Sequence, residues 1–163
     1  MCSQAAIDIL AAVLDQEASS IVRYLKEVAQ LRSAAGEDAE IEAALEQLYT
    51  ESCLDMGAIM ELLDEHAAVA PNVAWEMDYA RFNFLRPVFL VEPVTASTRE
   101  HIENMGRLSA LLGEEGWEEA QQAVERLVER KTTALGRLEA IASRSTGAGS
   151  GPPQRNGTSA SRW

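Results

Sequence analysis

Basic residues are scarce in this chain: 14 Lys and Arg stand against 26 Asp and Glu, a net charge of −12 over 163 residues. Nucleic-acid binding needs clustered cations to neutralise phosphates, so that class of function is excluded. Cysteine is almost absent. Cys2 and Cys53 are too few and too far apart for a disulfide framework or a CxxC metal pair, and a reducing compartment, the cytoplasm, is expected. No run approaches the roughly 18 apolar residues of a membrane span. The opening MCSQAAIDILAAVLDQE has no basic stretch and meets acids at Asp8 and Asp15, so it reads as a first helix and not as a signal peptide. Glycine-rich phosphate loops, zinc-ligand spacing and Ser-His-Asp arrangements are also missing, which leaves kinase and hydrolase chemistry without a foothold.

What the chain does have is helical periodicity. Leu10, Leu14, Glu17, Ile21, Tyr24, Val28 and Leu31 alternate spacings of four and three, the signature of one helix face. Ile41, Leu45, Leu48, Ser52, Asp55, Ile59, Leu62 and His66 repeat it. Each stripe is mostly apolar and carries an acid near its centre, Glu17 in the first and Asp55 in the second. Burying an unpaired carboxylate costs several kcal/mol, so these acids must be protonated, paired with a cation or bound to a metal. A third stripe runs His101, Met105, Leu108, Leu112, and at about 100° per residue it turns Glu100 away from the face that carries His101.

These stripes predict an all-α chain. A first helix is expected from Ser3, as its cap, to Ala34, with Gly36 as the stop, and a second from Asp38 to Ala68. Val69 to Pro93 holds three of the five prolines and most of the aromatics, and reads as a long crossover pinned against the helices, with a short helix around Glu76 to Phe84. A third helix is expected from Thr95 or Ser97 to Gly113 and a fourth from Glu114 to Ser143. Two helices, a long crossover between the second and third, and two more helices make a ferritin-like four-helix bundle over residues 1–144. Residues 145–163 are Gly/Ser/Pro-rich, carry no acid and are expected to be disordered. Without the three arginines of 144–163 the remainder is nearer −15.

The segments EASSIVRY and ESCLDM carry a family likeness. With Tyr24 seven residues after Glu17, and Asp55 followed by Met56, the chain resembles bacterioferritin over most of residues 5 to 143. The resemblance implies iron bound by Glu17 and by Asp55 in place of a bridging glutamate, and haem ligated by Met56 from two copies of a homodimer. It also implies a Glu-x-x-His from each of two helices. Here the corresponding positions read Asp55-x-x-Ala58 and Glu129-x-x-Thr132, so both histidines are missing.

Two functional expectations follow. In the first, the chain is a bacterioferritin-like protein with a degenerate ferroxidase centre, holding metal weakly at Glu17, Asp55, His101 and Glu129, or haem at Met56, with little oxidase turnover. The alternative is a non-catalytic structural or cargo protein of a bacterial compartment, whose tail, ending Ser161-Arg162-Trp163, docks a shell or partner protein. Without metal, the acids would be held by Tyr24, Ser52, Thr132 or His101. Cys53 is expected to be a buried, inert thiol.

Overall fold

The computed structural model describes residues 2–31, 36–66 and 73–148, and the regular elements among them are all helical. α1 spans Gln4–Ala18, α2 Ile21–Glu27, α3 Glu37–Asp64, α4 Val91–Glu114 and α5 Glu118–Ala148. α1 and α5 each pack against both α3 and α4, so these four helices touch in the cyclic order α1, α3, α5, α4. Among the described residues no helix is long and apolar enough to cross a membrane.

Ser3 caps α1 as expected, its Oγ accepting from the Ala6 N–H at 3.0 Å. The first helix is not continuous to Ala34, however. It breaks at Ser19 and Ser20, where Ser20 adopts an extended backbone, and resumes as the seven-residue α2, which ends at Glu27. Paired serines offer the backbone side-chain alternatives to helical bonding, and such pairs are a common cause of sharp kinks. Ser19 Oγ accepts instead from the Ala74 N–H of the crossover, at 3.1 Å. The stripe survives the break as far as Tyr24, but Val28 is 45 % exposed. Ala34, Ala68 and Pro71 lie outside the described residues, as do residues 149–163.

The segment between α3 and α4 is anchored by polar contacts. Gln30 and Asn83 form a two-way clasp: the Phe84 N–H donates to the Gln30 carbonyl at 2.7 Å, and the Gln30 N–H donates to Asn83 Oδ1 at 3.3 Å. Buried Asp38 accepts from Arg86 Nε at 2.7 Å and from the Val88 N–H at 3.1 Å. The short helix expected here is a 3₁₀ turn, Met77–Phe82, and a second, Pro87–Leu90, leads directly into α4. α4 therefore starts at Val91, earlier than Thr95. Pro93 falls in its first turn, where a missing N–H is harmless. α4 continues to Glu114 and α5 begins at Glu118 after a turn through Gly116 at φ +76°, a left-handed value suited to glycine. α5 runs to Ala148, five residues past the expected end at Ser143.

The apolar interior falls into two parts. One, at the crossover end, is rich in aromatics: Tyr24, Tyr79 and Phe82 join Ile21, Leu25, Leu45, Leu90 and Leu138. The other is aliphatic: Leu10, Val13 and Leu14 of α1 meet Ile59 and Leu63 of α3, Met105 and Leu112 of α4, and Val124 and Leu127 of α5. On α3, α4 and α5 the two parts are separated by a turn of polar residues, and between α1 and α2 by Glu17 and the serine break.

Candidate functional site

That polar turn forms a layer across the middle of the protein. α1 contributes Glu17, α3 Ser52 and Asp55, α4 Thr98 and His101, and α5 Lys131, at the level where neither apolar part reaches. Glu17 is fully buried, and Ser52, Asp55, Thr98 and Lys131 are buried to within a few per cent. The α5 apolar stripe explains why the lysine points inward: Ala120, Val124, Leu127, Lys131, Ala134 and Leu138 keep the four-three alternation without a break, and all are buried.

Lys131 Nζ lies 2.9 Å from Glu17 Oε1, and Ser52 Oγ donates to that same oxygen. The pair joins helices that face each other across the layer. Removing either charge from water costs several kcal/mol, offset only by a close, hydrogen-bonded contact of this kind. Glu17 Oε2 has no hydrogen-bond partner among the described residues, so the layer is satisfied on one side of the carboxylate only. Asp55 takes its cation from the rim: it pairs with Arg130, whose side chain is 44 % exposed. Burial pushes the Asp55 carboxyl above the usual carboxylate range, the Arg130 charge opposing that shift and Glu17 adding to it. Burial also lowers His101, reinforced by the charge on Lys131 and opposed by Glu17 and Glu100, so the imidazole is held neutral.

Of the four residues expected to ligate metal, Glu17 and Asp55 do reach the layer. His101 is half-buried at its edge while Glu100 is exposed, as the α4 stripe indicates. Glu129 is exposed, and so is Thr132. They sit two residues before and one after the inward position of α5, which Lys131 occupies, so Glu129, expected at the margin of the seam, lies outside it. Among the described residues no three His, Cys, Asp or Glu side chains come together as a group that could hold a metal ion. An ammonium in contact with Glu17 repels a divalent cation from the same oxygen, so these residues do not fit a di-iron centre. Met56 is buried in the aliphatic part, and its Sδ accepts from Arg23 Nη1 at 3.2 Å, which leaves that sulfur poorly placed to ligate haem. Ser52 is the one expected polar partner of the acids that makes the contact. Tyr24 Oη instead accepts from Asn83 Nδ2 at 3.1 Å. Cys53 is exposed rather than buried, 3.6 Å from Arg23 Nη1. Its hydrogen bond with Tyr49, followed by burial, pushes the Tyr49 phenol up to about 12.

Sequence reasoning missed Lys131 and Arg130. The signal for Lys131 was present in the α5 alternation, which runs through 131 and not 129. Arg130 had none, because a rim arginine beside a stripe looks like any solvated charge. Comparison with known protein families, with curated proteins and with solved structures finds no match to this chain.

Proposed function

We propose that this chain is a ferritin-like four-helix bundle with a long crossover in which an internal lysine replaces the metal, and that it serves as a non-catalytic structural protein acting through association. The observation that carries this reading is the buried contact between Lys131 Nζ and Glu17 Oε1 at 2.9 Å. A bundle that binds iron by clustered carboxylates must neutralise their charge with the metal. Here Lys131 and Arg130 already do so. Association is favoured by the exposed apolar side chains left on the surface, Leu54 and Met60 on the outer face of α3 and Phe84 and Phe89 on the crossover. A homodimer through such surfaces is the simplest assembly.

The test is elemental analysis and an absorption spectrum of protein purified from iron-supplemented cells, with oxygen consumption on adding ferrous iron. The expected result is sub-stoichiometric metal, no Soret band and no oxygen uptake above the protein-free control. Stoichiometric iron, or a haem spectrum lost on Met56→Leu, would overturn it.

A further inference from the structure

A groove of about 650 Å³ opens between the start of α4, the start of α3 and the later turns of α5, within the roughly 300–1,000 Å³ typical of ligand sites. Ile41, Val88, Val91, Ala96 and Ala142 give it apolar walls. Its polar side chains include Glu92, Glu139 and Arg99, two carboxylates against one guanidinium, with Arg99 already paired to Glu139. Thr95 also lines it. This threonine is 8 % exposed, and its Oγ1 is buried without a hydrogen-bond partner among the described residues.

We propose that residues 155–163 of the same chain occupy this groove, anchored by Trp163. Three observations favour this occupant. The first is reach. Ser143, in the groove wall, stands five residues before the end of α5, about 7.5 Å of helix. Residues 149–163 then follow, and a chain of that length reaches up to about 50 Å, enough to double back. A tethered segment meets a site so near at an effective concentration in the millimolar range, which favours it over a free ligand of equal affinity. The second is charge: the segment carries Arg155 and Arg162 and no acid, against a groove with an excess of carboxylate at Glu92 and Glu139. The third is chemistry. Trp163 is the only large aromatic in the segment, and an indole combines an apolar body for the walls with a single N–H donor suited to a groove with an excess of carboxylate.

The experiment uses the full chain labelled with ¹⁵N and follows the indole N–H signals of Trp75, Trp117 and Trp163, the last assigned by its loss in Trp163→Phe. Docking predicts a Trp163 signal away from the free-indole position, unchanged on dilution. It also predicts that Ala96→Arg, an exposed position in the groove, returns it to the free position while the other two signals stay fixed. A Trp163 signal at the free position in the unmodified chain overturns the proposal. So does a shifted signal that reverts on dilution with halving of the mass, because the occupant would then be the segment of a second copy. A shifted signal indifferent to Ala96→Arg overturns it as well, since the indole would be held elsewhere.

Discussion

The aliphatic part of the interior and the polar layer beside it are built by neighbouring turns of the same four helices, yet they obey different rules. Among Leu10, Leu14, Ile59, Met105 and Leu127, stabilisation scales with area and volume, and a swap of similar size is tolerated at a cost below about 1.5 kcal/mol. In the layer a residue contributes only with its partner, because Glu17 and Lys131 are each a liability alone. The difference teaches that one apolar helix face can carry two kinds of information, how much surface to bury and which residue must oppose which.

The largest test of this contrast is Lys131→Met. It leaves Glu17 buried and unpaired, and a loss of about 3–5 kcal/mol is expected in urea unfolding. Adding Glu17→Leu should return stability to within about 1 kcal/mol of the parent or above it, since replacing both members of a buried ion pair with apolar groups is often neutral or favourable. A double variant as unstable as the single would erase the distinction between layer and core. In the aliphatic part, Leu10→Ala should cost about 2–5 kcal/mol by opening a cavity, whereas Leu10→Met should cost less than about 1.5 kcal/mol. Thermal unfolding of the two side by side checks the volume rule. Arg130→Ala should cost only about 1 kcal/mol, because the arginine is partly exposed and its pairing with Asp55 is screened by water.

The smallest effect is a slope. His101 is held below the ordinary histidine value, so on acidification the unfolded chain takes up a proton that the folded one refuses. Stability should therefore fall as pH drops from the ordinary histidine value to the depressed one. His101→Gln should flatten that part of the stability profile. Asp55 acts in the opposite sense. Its raised carboxyl binds a proton in the folded state first, so stability should rise as pH drops from its raised value to the ordinary aspartate one, and Asp55→Asn should remove that rise.

Much of the architecture could be read from the chain because helical spacing reports burial directly. The stripes of α1, α3 and α4 turned Glu17, Asp55 and His101 inward, and the proline-rich, aromatic stretch was expected to lie against the helices, where Tyr79 and Phe82 are buried. What periodicity cannot report is where a helix stops for reasons of hydrogen bonding. The break at Ser19 and Ser20 is stabilised by a contact to Ala74, 55 residues distant in sequence, and the early start of α4 depends on the 3₁₀ turn that precedes it. The marginal place given to Glu129 has another origin. A family pattern pointed to 129, whereas the spacing on α5 pointed to 131, and spacing is the physical constraint.

The position of the layer also bears on how the helices find their alignment during assembly. Apolar stripes spaced four and three repeat every seven residues, so sliding α5 by seven positions, about 10.5 Å at 1.5 Å per residue, would keep its oily face buried at little loss of area. Such a slide would bring Val124 or Leu138 to the level of Glu17 and carry Lys131 among leucines. Both charges would then be stranded, and the misaligned state would be penalised far more than its surface area suggests. Stability and singularity of the native arrangement thus come from separate residues, and the Glu17→Leu, Lys131→Met protein should keep the first while its amide exchange betrays a loss of the second.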